Sequence, residues 1–328
     1  MNTSTATLIL RVPLPPWGVR LVALIACFCL AAPVCAAAIT IHDATGRQVV
    51  ITDTSRIVSI GGAVTEILYA LGFDDRVVAV DTTSLYPPRA LAEKPNVGYM
   101  RQLSPEGVLG LSPSLVLASE NAGPKETIAV LEAASIPFVQ VPEHFTAEGI
   151  LDKIRTVAAS VGAEKRGACL AAGTSAELQT LTRMRERIKT PMKVLFVLSF
   201  IDGRAMVAGR STAADGIIKL AGGLNAIDGY EGYKIVADEA VVAAKPDVVL
   251  AMKRQGLDLS ADTIFAHPAF ASTPAAARKA FVSMDGLYLL GFGPRTAQAA
   301  RDLAAALYPS LGQEIASGRS GPPTNCAP

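Results

Sequence analysis

Short β-branched runs alternate along the chain with segments whose apolar positions recur at helical spacing. Arg56 to Ile60, Val77 to Val80, Leu115 to Ala118 and Phe138 to Val141 read as strands, while Thr65 to Leu71, Pro105 to Leu111 and Lys125 to Ala134 read as helices. The alternation restarts after Met192. Lys193 to Ser199, Asp247 to Ala251 and Phe281 to Met284 are the next predicted strands, with helices over Thr212 to Leu220, Asp238 to Ala244 and Thr296 to Leu307. This order predicts an α/β fold of two similar lobes, each a mostly parallel sheet covered by helices. Glu164 to Lys189 is rich in Ala, Glu, Leu, Arg and Lys and free of proline. It predicts one connecting helix of about 26 residues, roughly 39 Å long. The expected organisation is an N-terminal lobe over 39–163, a connector over 164–190, a C-terminal lobe over 191–311 and a disordered Gly/Pro-rich tail over 312–328.

An internal repeat supports the twin lobes. The stretch from Leu103 to Ala118 aligns without gaps on Val236 to Ala251, with Glu106 matching Glu239 and Pro113 matching Pro246. The spacing is far beyond a solenoid period and fits one lobe duplicated as another. Two such lobes enclose a cleft.

The first 38 residues change the picture of location. Arg11 and Arg20 precede an apolar run from Leu21 to Ala32, followed by Pro33 and Ala36-Ala37-Ala38, the three-part form of a cleaved secretory leader. A retained anchor is the alternative, because Leu21 to Ile39 carries no charge. Pro33 and the Ala-rich site favour cleavage. A lipid anchor on Cys35 is a poor match, since Ala32-Pro33-Val34 precedes it. Loss of the leader removes Cys27, Cys29 and Cys35 and leaves Cys169 and Cys326, for which a bridge stays open. Thirty basic against 29 acidic residues, with 18% charged and 50% hydrophobic, exclude a polybasic nucleic-acid binder and a disordered chain.

Enzyme signatures are missing from the sequence. It has no phosphate-binding Gly-rich loop, no dinucleotide fingerprint and no Gly-x-Ser-x-Gly elbow. Its three histidines, His42, His144 and His267, are too few and too scattered for an ordinary zinc site. His144 stands out because it follows the carboxyl end of a predicted strand, where open α/β sheets place ligands.

Four segments carry a family resemblance: Arg56 to Gly72, Asn96 to Glu106 with its Gly-Tyr-x-Arg, Ala208 to Gly216, and Leu289-Leu-Gly-Phe-Gly-Pro-Arg295. Together they resemble the periplasmic haem-binding proteins of bacterial haem-uptake ABC transporters, over roughly residues 39 to 310. The resemblance implies the class III periplasmic binding protein fold, two lobes on one long helix. It also implies a soluble periplasmic carrier, monomeric and without catalysis, that passes haem to an inner-membrane permease with its ATPase. It makes Tyr99 the haem iron ligand: ferric iron is a hard cation and a phenolate a hard oxygen donor. A free phenol ionises near pH 10, so the metal and a neighbouring cation, here Arg101, must favour the charged form.

Some relatives add a histidine from the C-terminal lobe as second ligand, but Leu198 to Asp202 has none, so five-coordinate iron on Tyr99 is expected, with His144 or His267 the remaining alternatives. Arg210, Lys253, Arg254 and Arg295 are the cations placed to meet propionates beside Arg101. Met100, Phe200 and Met252 are candidates for the apolar porphyrin face, or for lobe core. Glu106 and Glu239, one per lobe, are implied to meet permease arginines. A ferric siderophore or cobalamin as cargo, a cleft enzyme, and a tethered sensor are the competing readings.

Overall fold

The computed structural model describes residues 38–253, 259–311 and Cys326. The predicted leader, Arg254 and the tail other than Cys326 lie outside the described residues. The chain enters through a feature the periodicity missed, a hairpin of β1 (Ile39–His42) and β2 (Gln48–Ile51). Its turn is organised by Asp43, whose carboxylate accepts from the Thr45 and Arg47 backbone N–H groups and from the Arg47 guanidinium. His42 is thus an exposed strand residue.

The N-terminal lobe is a four-stranded parallel sheet of order β4-β3-β5-β6, from β3 (Ile57–Ile60), β4 (Val77–Val80), β5 (Leu115–Ser119) and β6 (Phe138–Val141). The C-terminal lobe contains β7 (Lys193–Ile201), β8 (Arg204–Ala208), β9 (Leu224–Asn225), β10 (Tyr233–Ile235), β11 (Val248–Lys253) and β12 (Phe281–Asp285). Its order is β10-β8-β7-β11-β12, with β9 beside β7. Here β7, β11 and β12 are parallel, but β8 returns antiparallel from a tight hairpin at Asp202 and Gly203, both at positive φ. Sequence reading stopped β7 at Ser199 and did not find β8 or β10.

Strand alternation explains where the core lies. Ile57, Leu115 and Leu117 of the first sheet, and Val194, Phe196, Val248 and Leu250 of the second, join one hydrophobic cluster that runs through both lobes. Their neighbours Val58 and Val116 face a separate cluster of the N-terminal lobe, and Leu195, Val197 and Val249 one of the C-terminal lobe. Both faces of the central parallel strands β3, β5, β7 and β11 are therefore dry along most of their length, as parallel strands require.

The connecting helix spans Glu164–Arg185, 22 residues, and so ends four residues earlier than its composition implied. Beyond it the Arg187 and Ile188 N–H groups reach back to the Met184 and Arg185 carbonyls, tightening the last turn. Ile188 then turns inward against Gly222, where any Cβ would stand 2.3 Å from its Cδ1. Packing against the C-terminal lobe stops a helix that propensity alone would continue. Cys169, on this helix, is bonded to Cys326, which is buried. Among the described residues no helix is long and apolar enough to cross a membrane.

Candidate functional site

Tyr99 sits in a loop that local chemistry leaves little freedom. Gly98 has φ +94°, a region side chains avoid, and its N–H donates to the Asn96 side chain. The Gly98 carbonyl accepts from Thr82 after β4, and the Met100 carbonyl accepts from Gly123 after β5. The loop is thereby laced to the carboxyl ends of two parallel strands, the end where open α/β sheets place ligands. Tyr99 is 38% exposed, and Arg101 Nη1 donates to its hydroxyl at 3.0 Å. Met100, by contrast, is buried in the N-terminal lobe's own cluster, with the Thr83 hydroxyl 3.8 Å from its sulfur. It serves the lobe core, and the loop alternates tyrosine out, methionine in.

Tyr233 of the C-terminal lobe lies on β10, its ring 6.3 Å from Phe196. Burial pushes its phenol above the ordinary value, against the opposing pull of the Ala214 N–H, the Thr212 hydroxyl and the charge of Arg101. A guanidinium of one lobe is therefore within electrostatic reach of the other. Phe200 is half-buried near the β7–β8 turn, its ring 5.4 Å from His267 and 5.9 Å from Phe270. Lys253 is exposed at the end of β11, paired in register with Asp285, and Met252 beside it is half-buried near Gly286. Arg210 keeps an exposed side chain while its backbone is held between Tyr230 and Gly232.

Arg295 departs from the expectation of a propionate cation. Its Nη2 donates to Glu66 of the N-terminal lobe at 2.9 Å, and its guanidinium lies 3.5 Å from the Tyr86 ring centroid. An ion pair already holds that charge. His267 is likewise unavailable to a metal, because Nδ1 accepts from the Ala269 N–H and Nε2 lies 2.7 Å from the Gly203 carbonyl. His144 is exposed in the loop after β6.

The paired glutamates stand apart from the cleft residues. Glu106 lies in the first turn of the helix Pro105–Leu109, exposed, and its own N–H and the Ser104 hydroxyl hold its carboxyl below the usual range. Glu239 is exposed in the first turn of Asp238–Ala244. Glu66, Tyr86, Lys153 and Tyr233 were not singled out from sequence. Lys153, fully buried on the helix Ala147–Ser160, had one visible signal, a cation three residues after Ile150 and four before Val157, on the helix's apolar face.

Twin α/β lobes on one helix, with an exposed tyrosine and its arginine at the strand ends, define a bilobal ligand-capture protein. The chain belongs to the periplasmic binding protein family, whose sequence model matches residues 57–287. Among solved structures it is similar to the periplasmic heme-binding protein RhuT from Roseiflexus sp. RS-1, in apo form. That likeness has 40% identity and TM-score 0.73, and covers 79% of this chain and 99% of the other. It is similar also to the periplasmic heme-binding protein BhuT in complex with two hemes, at 39% identity, TM-score 0.73, and 78% and 98% coverage. A curated relative is an uncharacterized ABC transporter substrate-binding lipoprotein of Bacillus subtilis strain 168, 26% identical over 280 residues, 84% of this chain and 87% of that protein. The family and these neighbours are binding proteins of transport systems with an extracytoplasmic place of work.

Proposed function

We propose that this chain captures haem in the cleft between its lobes and delivers it to an inner-membrane ABC permease. The observation that carries the reading is the Arg101–Tyr99 hydrogen bond on an exposed phenol at the strand ends. A phenolate is the oxygen donor that ferric iron prefers, and a guanidinium beside it offsets the charge that forms on ligation. The solved heme-binding relatives support the same cargo.

Tyr99 binds iron through its phenol oxygen, and His267, both of whose ring nitrogens are engaged, does not join it. Arg210 and Lys253, exposed and unconsumed by any ion pair in the described residues, are the cations for the propionates, with Arg101. Phe200 and Met252 offer apolar surface to the macrocycle. The protein performs no covalent chemistry, works as a monomer in the periplasm, and reaches it through a leader ending near Ala38. Glu106 and Glu239 dock it on the permease, one carboxylate per lobe.

Titration with haemin, followed by absorption, tests this. Wild type is expected to give the spectrum of tyrosinate-bound ferric haem, and Tyr99→Phe to lose it and weaken binding about a hundredfold, or 2.7 kcal/mol. Wild-type protein that ignores haemin but binds a cobalamin or a ferric siderophore would overturn the reading.

A further inference from the structure

The connecting helix is one junction between the lobes, and the turn Gly291-Phe292-Gly293-Pro294-Arg295 forms a second. Each lobe lends the other a cation there. Lys153, from the N-terminal lobe and fully buried, donates to the carbonyls of Phe292 at 3.1 Å and Gly291 at 3.4 Å, while Glu143 neutralises it. Arg295, at the other end of the turn, donates its backbone N–H to Glu66 Oε1 at 3.2 Å and its guanidinium to Glu66 Oε2 at 2.9 Å. Tyr86 roofs this second pair, and Tyr288 lies 5.3 Å from the same guanidinium.

Between the two clamps Phe292 is held at φ +50°, a left-handed conformation that a phenylalanine seldom adopts. Its buried ring meets Phe145 of the N-terminal lobe edge-on, centroids 5.2 Å apart, and presses on Gly216, where a Cβ would come within 2.7 Å of Phe292 and 2.5 Å of the Phe145 carbonyl. Leu287 closes the other side on Gly62, so tightly that a Cβ there would lie 2.6 Å from its Cδ1. Charged hydrogen bonds shielded from water are directional, and close-packed surfaces do not deform continuously. A turn so gripped has one seat.

We propose that Lys153 and Arg295 are positioning residues of the cleft, and that the 291–295 turn is a fulcrum that presets the angle at which the C-terminal wall faces Tyr99 before cargo arrives. This deepens the haem reading and rests on it only for the nature of the cargo. A preset angle means that binding costs little ordering of the lobes, so loss of the clamps shows as faster release.

The test begins on the cargo-free protein. Spin labels on cysteines introduced at the exposed Val130 and Val242, one per lobe, report the spread of inter-lobe distances by pulsed electron resonance. A narrow distribution is expected in the otherwise wild-type chain and a clearly broader one in Lys153→Met and in Glu66→Gln. Lys153→Met leaves the Glu143 charge with only the Ser119 hydroxyl as side-chain partner and is the variant at risk of misfolding; Glu66→Gln keeps the side-chain shape and carries the measurement if it does.

With haemin, the same variants and Arg295→Met should release cargo about tenfold faster while keeping the wild-type absorption spectrum, and Arg295→Lys should release it more slowly than Arg295→Met. An unchanged label distribution, or broadening with unchanged release, overturns the proposal. So does an altered spectrum, which would place these residues at the iron. A wild type that takes no haemin sinks the cargo reading alone, because the label distances in the free protein still decide the fulcrum.

Discussion

The two lobes agree in their repeated strands and differ at the strand ends. In the repeat, Ser112 and Lys245 occupy the same place and both adopt left-handed backbone, φ +48° and +45°, just before Pro113 and Pro246. The Ser114 N–H donates to the Arg56 carbonyl at the start of the first sheet, and the equivalent Asp247 N–H donates to Lys193. Val116 and Val249 repeat the pattern with Pro137 and Ala280. Duplication has thus preserved backbone geometry at positions whose side chains diverged. At the strand ends the likeness stops: the N-terminal lobe presents Tyr99 and Arg101 on a laced loop, the C-terminal lobe an antiparallel hairpin with Phe200. Shared backbone geometry lies in the repeated part, and the candidate site's side chains in the parts that differ between the copies.

The sharpest break of this asymmetry is the Tyr99→Phe loss described above, set against Phe200→Ala. The latter removes apolar contact but no ligand and is expected to weaken haemin binding by about 1–2 kcal/mol, read in the same titration. Next comes Gly216→Ala at the seam shared by both lobes. Its Cβ has no room beside Phe145 and Phe292, so urea unfolding should show a loss of about 1–3 kcal/mol.

Arg101→Leu should cost about tenfold in haemin affinity and shift the absorption bands, since the guanidinium acts through the phenol. Ser112→Gly and Lys245→Gly should each stabilise the chain by ~0.5 kcal/mol, the relief of left-handed strain exceeding the entropy of glycine. Equal gains in urea would confirm that the two left-handed turns are equivalent, and a gain in one lobe only would show that the repeat has diverged in energy as well as sequence.

The smallest effect is on acid stability. Burial raises the carboxyls of Asp43 and Asp247, but hydrogen bonds outweigh it, from Thr45 and Arg47 in one and from Lys193 and Arg278 in the other, so both lie below the ordinary value. A carboxyl lowered on folding stabilises the native state above the unfolded value of about 4 and loses that contribution as pH falls through its folded value. Asp43→Asn and Asp247→Asn should therefore narrow the gap in melting temperature between pH 7 and pH 3, each by its own lobe's share.

Most of the architecture was legible in order and type. The helix Asp238–Ala244, the strands Val77–Val80 and Phe138–Val141, and the helix Thr296–Leu307 appear as their periodicity predicts. The β8 return and the β1–β2 hairpin were not, because short polar-faced strands carry little signal of their own and are stabilised by the neighbour they pair with. In the site, Gly98-Tyr99-Met100-Arg101 was readable as a motif, yet only the fold turns Tyr99 outward and buries Met100.

The sequence by itself determined the twin lobes, the long helix, the internal repeat and the tyrosine with its arginine, because each is carried by residues close together in the chain. Tertiary structure alone decided which cations are free. Arg295 is claimed by Glu66, 229 positions away, and Lys153 by carbonyls up to 139 positions away. It also decided that Cys169 meets Cys326 and that His267 spends both nitrogens on backbone groups. A charge or a thiol has no fixed partner until the chain is folded, since its energy depends on distances through space that local pattern does not encode.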